Sequence, residues 1–194
     1  MNRTDDNPQK TLHHYNTPGH AHELTFSCYH RSDYLNDPVA CEIFLAVLSE
    51  SSDLYRFRIW AYVLMPNHVH LLIWPLQEKY DIAKVDSGIK GVMSKRYKKH
   101  LSQTEPGKLK LFMVPSRGVE VFRFWQPGGG FDRNLWNAKA IRQVIEYIEV
   151  NPVRKGLAAS PEDYRWSSAY AHTHNAGVVP DRSGIPVVML NAQS

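Results

Sequence analysis

The sequence predicts an α+β fold: one antiparallel sheet made of two interleaved βαβ units, with helices on one face and a further helix toward the C-terminus. Three observations predict it. Period-two alternation recurs over residues 23–31, 55–64, 68–74 and 119–125, and the middle two runs are joined by Met65-Pro66-Asn67, a link too short for a parallel crossover. Helical apolar spacing fills 39–51, 81–101 and 137–150. The resulting order, β-α-β-β-α-β and then another helix, is that of the ferredoxin-like split βαβ arrangement.

Each element has a local cause. In Glu23 to Arg31, Leu24, Phe26 and Cys28 alternate with Thr25, Ser27 and Tyr29, as on a half-buried strand. Asp37-Pro38 offers an N-cap and a proline at the first helical position, ahead of the apolar positions Cys41, Phe44, Leu45 and Leu48. Tyr55 to Leu64 is expected to put Phe57, Ile59, Ala61 and Val63 on one face and Arg56, Arg58, Trp60 and Tyr62 on the other. His68 to Trp74 is the returning strand, ended by Pro75. The 81–101 helix carries Ile82, Val85, Ile89, Val92, Met93 and Tyr97 on one side. Residues 103–118 read as a basic, irregular connection, Val119 to Trp125 as the fourth strand, and Gln126 to Gly130 as a loop. The last strong helix starts near Asn137 and is expected to close at Asn151-Pro152. Residues 1–21 read as a flexible arm, 22–158 as the working domain and 159–194 as a C-terminal extension.

The bulk properties narrow the function classes. At 194 residues, with 43% hydrophobic and 11% aromatic residues, the chain supports one packed domain with appendages. Two cysteines make neither a disulfide framework nor a zinc knuckle. No segment near Met1 resembles a signal peptide and no apolar run is long enough to cross a bilayer, so a soluble, cytoplasmic setting without a membrane partner is expected. A net charge of +4 is a mild bias toward polyanions.

Two pairs of residues could carry chemistry. His68 and His70, two apart on a strand, point to the same face about 7 Å apart along the chain and can converge on one cation while Val69 packs behind them. The pair alone is a weak signal and reads more readily as a plain polar strand face. Tyr147 and Asn151 lie one turn apart, about 40° around the axis, beside the core stripe of Ile141, Val144, Ile145 and Ile148. Alone they read as a boundary tyrosine and a helix terminus. Together the four allow an open site: two imidazoles and an amide oxygen around a hard divalent ion, with a phenol aimed at a phosphorus held there. Lys90, Lys95, Arg96, Lys98 and Lys99 could track a phosphate backbone, and Trp60, Tyr62, Trp125 and Trp166 could stack bases. A solvated helix face and ordinary core aromatics fit those residues as well.

At this point the motifs resemble a known family. YVLMPNHVHLLIWP (62–75) resembles the histidine-motif strand of the single-tyrosine HUH transposases of small bacterial insertion sequences. FWQPGGGFDRNLW (124–136), VIEYIEVNPVRKGL (144–157) and YRWSSAY (164–170) resemble their relatives, the REP-associated tyrosine transposases. The resemblance spans Glu23 to about Tyr170. It implies a ferredoxin-like nuclease acting on single-stranded or hairpin DNA, with Mg or Mn as cofactor. His68, His70 and Asn151 fall on the metal ligands, Tyr147 on the nucleophile, and Arg133 lies in a motif expected to meet DNA. Cleavage leaves a 5′-phosphotyrosine and a free 3′-OH. Relatives occur as monomers or homodimers. Two other readings compete: a non-catalytic DNA-hairpin-binding protein of the same fold, and a metal-dependent hydrolase of small molecules. The latter has no use for the basic face at 90–99.

Overall fold

The computed structural model describes residues 15–186. Of the expected arm, residues 1–14 lie outside the described residues, as do 187–194 of the expected extension. The main elements are β1 (Ala21–Ser27), α1 (Pro38–Tyr55), β2 (Phe57–Met65), β3 (His68–Pro75), α2 (Ile82–Thr104), the single turn α3 (Pro106–Leu109), β4 (Met113–Ser116), β5 (Val119–Phe122), β6 (Phe131–Leu135), α4 (Ala138–Arg154) and α5 (Ser168–His174).

The sheet runs β2-β3-β1-β6 with every neighbouring pair antiparallel. β1 and β2 therefore run parallel on either side of β3, and β3 and β6 on either side of β1. These are the two split βαβ units that the order of elements predicts. One face of the sheet, through Leu24, Phe26, Val69 and Leu71, packs on Phe44 and Leu48 of α1 and Ile89 and Met93 of α2. The opposite face, through Val63 and Leu72, packs on Ile141, Val144 and Ile148 of α4. Asp37 caps α1 by accepting from Val39 N (2.9 Å), and Asp81 caps α2 by accepting from Lys84 N (3.1 Å).

Three expectations are corrected. The fourth strand of the sheet is Phe131–Leu135, whereas Val119–Phe122 pairs with Met113–Ser116 in a separate hairpin. The polar run FDRNL hides its strand character because cross-strand polar pairs replace apolar ones. Asp132 meets His22 Nδ1 at 2.8 Å, and Arg133 Nε donates to Glu23 Oε2 at 2.9 Å.

Next, the alternation of β2 breaks at Trp60. Ile59 pairs with Ile73 and Ala61 with Leu72, so Trp60 is the extra residue of a β-bulge. Phe57 and Ile59 then share a core with Tyr62 and Leu64, while Ala61 and Val63 turn toward α4. Finally, α4 does not close at Asn151-Pro152 but runs to Arg154. Pro152 cannot donate to the preceding turn. The last turn is held by Lys155 N reaching Asn151 O (3.1 Å) and by the burial of both Asn151 and Pro152.

Gly130 decides how β6 meets β1. Its φ is +74°, and a Cβ there would lie 2.2 Å from the carbonyl oxygen of Thr25. Gly130→Ala is expected to cost about 2–4 kcal/mol, from left-handed strain plus a clash with backbone that cannot swing aside. Urea denaturation reads that loss, and a change under 1 kcal/mol would show that the loop adapts.

After α4 the chain turns back along the outer edge of β2. Leu64 N donates to Trp166 O (2.9 Å), Tyr62 N to Ser168 Oγ (3.1 Å), and Asp181 N to Ile59 O (3.0 Å). At the other end of the described chain, Asn16 Oδ1 accepts from Ile82 N (3.0 Å), and the His20 ring stacks on Trp136 with centroids 5.1 Å apart.

Candidate active site

β3 begins directly after the Pro66-Asn67 turn, so its first side chains toward α4 are His68 and His70, with Val69 buried on the far face. The two rings stand edge to face, with Nε2 atoms 3.2 Å apart. Each ring is gripped by its other nitrogen. The Asn67 amide nitrogen donates to Asp33 Oδ1 (3.1 Å), which turns its oxygen toward His68 Nδ1 at 2.7 Å. An amide oxygen only accepts, so His68 carries its proton on Nδ1 and offers the Nε2 lone pair. Thr25 Oγ1 lies 2.8 Å from His70 Nδ1, and a hydroxyl can receive that N–H in the same way.

Burial holds both imidazoles neutral. It is the largest cause lowering the His68 pKa, followed by the positive charges of Arg31 and Lys155. His70 is pushed down to about 4, again chiefly by burial and then by His68. Two neutral imidazoles with converging Nε2 atoms suit a divalent cation. Among the described residues no group of three His, Cys, Asp or Glu side chains is placed to hold a metal ion, so further ligands would come from an amide, water or substrate oxygen.

The sign of the pH effect follows. Both histidines have folded pKa values below the ordinary 6.5, so the unfolded chain takes up protons that the folded one refuses. Stability is fully present above pH 6.5 and falls as the pH drops toward about 4, with His70 alone accounting for roughly 3 kcal/mol. Thermal melts of wild type and His70→Phe across that window check it, because the variant's curve should be flatter.

Tyr147 projects from α4 onto this pair. Its ring stands edge-on to His70 with centroids 5.5 Å apart, and it is 40% exposed. The Arg154 guanidinium sits over the same ring at 5.6 Å. Asn151, one turn on from Tyr147, is buried. The structure thus brings His70 into contact with both His68 and Tyr147 and places Asn151 on the same helix as Tyr147, one turn further.

The expected DNA contacts fare differently. Lys90 is largely buried, bound to Asp86 Oδ2 (2.6 Å) and to Gly128 O (2.8 Å), and belongs to the fold rather than to a surface. Trp125 is 6% exposed and packs edge-on against Phe26, so it offers no face to a base; Trp60 and Tyr62 are likewise buried. Arg96 is paired at both oxygens of Glu50. Lys95, Lys98 and Lys99 are exposed, but on α2, which packs on the face of the sheet opposite His68 and His70. Of the expected set, Arg133 shares a groove with His70 and Tyr147.

Sequence reasoning missed the cations that do surround the site: Arg31, Arg154 and Lys155, all exposed. Arg154 and Lys155 had a signal, since they stand seven and eight residues after Tyr147, two turns along the same helix face. Arg31 had none, because the left-handed turn at His30 and Arg31 that brings it to the sheet end is not encoded by any glycine.

A neutral imidazole pair thus stands beside an exposed tyrosine, with cations around it, at the end of a split βαβ sheet. Residues 17–112 match the family model described as Transposase IS200 like. The chain also resembles the REP-associated tyrosine transposases. It is 24% identical over 137 residues to one from Haemophilus influenzae (strain ATCC 51907 / DSM 11121 / KW20 / Rd), covering 71% of this chain and 69% of that protein. The structure of a REP-associated tyrosine transposase bound to a REP hairpin superposes over 93% of this chain and 99% of its own, with a TM-score of 0.65 at 19% identity, which shows a shared fold. No helix among the described residues is long and apolar enough to cross a membrane.

Proposed function

We propose that this protein is a metal-dependent single-strand DNA endonuclease and strand transferase that cuts hairpin or palindromic-repeat DNA through a 5′-phosphotyrosine on Tyr147. The observation that carries the reading is a pair of contacts meeting at His70: its Nε2 lies 3.2 Å from that of His68, and the exposed Tyr147 ring stands 5.5 Å from its own. The hairpin substrate rests on the relative solved with a REP hairpin. Residues 22–158 would form the nuclease unit and 159–194 its extension.

His68, His70 and the Asn151 amide would hold Mg or Mn. When bound, the ion supplies Lewis acidity and orients the phosphate oxygens. The protein's own groups do the rest. Arg31, Arg154 and Lys155 draw the backbone to the sheet end, and α4 presents the Tyr147 ring beside His70. The Tyr147 oxygen forms the new P–O bond as the bond to the 3′-oxygen breaks. The phenol's proton passes through solvent to that 3′-oxygen, leaving a 3′-OH. One phosphodiester replaces another, so the reverse attack by a 3′-OH rejoins DNA without an energy source.

The test is a denaturing gel of labelled hairpin DNA incubated with the protein and Mn. A metal-dependent covalent band is the expected result. Salt-sensitive binding with no band under any metal would leave a hairpin-binding protein and overturn the reading.

The grip on His68 gives a separate expected result. Asn67→Ala should weaken Mn binding about 10- to 100-fold, as loss of an orienting partner does. Calorimetric titration of Mn into the protein reads it, and unchanged affinity would mean that the Asp33–Asn67 link does not set the ring.

A further inference from the structure

Beside the tyrosine lies an open groove of about 500 Å³ that the chemistry above does not use. It starts at His70 and Tyr147, crosses β1 at Glu23 and ends on β6 at Phe131 and Arg133, with Gln143 of α4 on its upper wall. Two features of it are unusual. Glu23 is 6% exposed, yet both bonds from Arg133, from Nε at 2.9 Å and from a terminal nitrogen at 2.5 Å, land on the same oxygen, Oε2. Among the described residues no donor reaches Oε1. That oxygen is not sealed in the core, and because Glu23 lines the groove, a ligand's donor there can reach it. Phe131 is the second feature. It is 46% exposed on an edge strand, an apolar ring at the mouth of a polar groove.

Register sets the scale. Phe131, Thr25 and His70 form one row across β6, β1 and β3, and Arg133 and Glu23 form the next. Strands lie about 4.8 Å apart, so Phe131 is roughly 10 Å from the His70 row, within the span of one nucleotide from a phosphate held at the histidines.

We propose that this groove seats the unpaired nucleotide next to the scissile phosphate, its base stacked on Phe131 and its amino-bearing edge read by Glu23. The inference rests on the tyrosine-nuclease reading for where the phosphate lies. A carboxylate accepts from the exocyclic amino group of cytosine or adenine, or from the N1–H and amino edge of guanine, and it repels the carbonyl O4 of thymine. Arg133 fixes the Glu23 carboxylate in place, and Gln143, one turn before Tyr147, offers a neutral amide to the same base edge. A bare ion pair bracing β6 onto β1 would need neither the exposed ring nor the free oxygen.

The test is a panel of hairpin oligonucleotides carrying each base in turn at the two positions flanking the cleaved linkage. Adduct formation is followed with Mn, and equilibrium binding of Tyr147→Phe is followed in parallel by fluorescence anisotropy. At one flanking position, amino-bearing bases should be preferred over thymine by about 5- to 100-fold. Glu23→Gln should erase or invert the preference, since an amide can donate to O4. Phe131→Ala, at an exposed site that does not threaten the fold, should weaken binding about 5- to 100-fold for every base without changing the order. Equal use of all four bases, or a preference unchanged in Glu23→Gln, overturns the proposal and leaves the Glu23–Arg133 pair a strut. If no oligonucleotide yields an adduct but anisotropy still ranks the bases, the tyrosine reading fails and the groove stands.

Discussion

Tyr147→Phe removes the covalent DNA adduct, with a loss of at least ~10³-fold, while hairpin binding stays within a few-fold of wild type. The change deletes one oxygen from a ring that is 40% exposed and makes no hydrogen bond among the described residues, so the fold has little to lose. The edge contact with His70 and the Arg154 cation over the ring both persist in phenylalanine. The comparison therefore isolates the nucleophile from the binding surface. An adduct that survives in Tyr147→Phe would assign the attack to another residue. Loss of binding together with the adduct would mean that the hydroxyl serves recognition instead.

The second large effect is expected at the histidines. His68→Ala should weaken Mn binding by ~10²-fold or more and bring adduct formation to background. His68 is only half-buried at the first position of β3, so its truncation opens no deep cavity. His70 is a poorer choice, because it is 7% exposed and held by Thr25, and its removal would disturb the sheet as well as the site. Titration of Mn by calorimetry and the adduct assay should fail together in His68→Ala, with the melting temperature in chelator close to wild type. Retained Mn affinity would remove the imidazole pair from the metal centre.

Much of this site is legible in the sequence because it obeys periodicity. His68 and His70 share a face by a period of two, with the turn before them written as Pro66-Asn67. Tyr147 stands beside the stripe of Ile141, Val144, Ile145 and Ile148, and that stripe fixes which way it projects. Periodicity fails where the physics is not periodic. One inserted residue, Trp60, exchanges the faces of β2 beyond it. β6 escapes notice because its neighbours on β1, His22 and Glu23, are polar partners for polar side chains. The basic run on α2 reads correctly as exposed at Lys95, Lys98 and Lys99, but an apolar stripe says only that a helix has an outside, not which side of the sheet that outside faces. The cations that do reach the site come from separate places, Arg31 after β1 and Arg154 and Lys155 at the end of α4, and only the fold assembles them.

The segment that returns along β2 has a bearing on how the protein can be trimmed. By motif, the nuclease unit ends near residue 158, and that is where a minimal version would be cut. Such a cut would strip the partners from the amides of Leu64 and Tyr62 and from the carbonyl of Ile59, and would expose Trp60 where Ser183 O and Arg182 now meet it. What remains would be a bare hydrophobic strand with its hydrogen-bonding groups outward, a template for fibre-like stacking between molecules. The practical end of the folding unit is thus closer to residue 185 than to 158, and shortened versions should be designed around that seam.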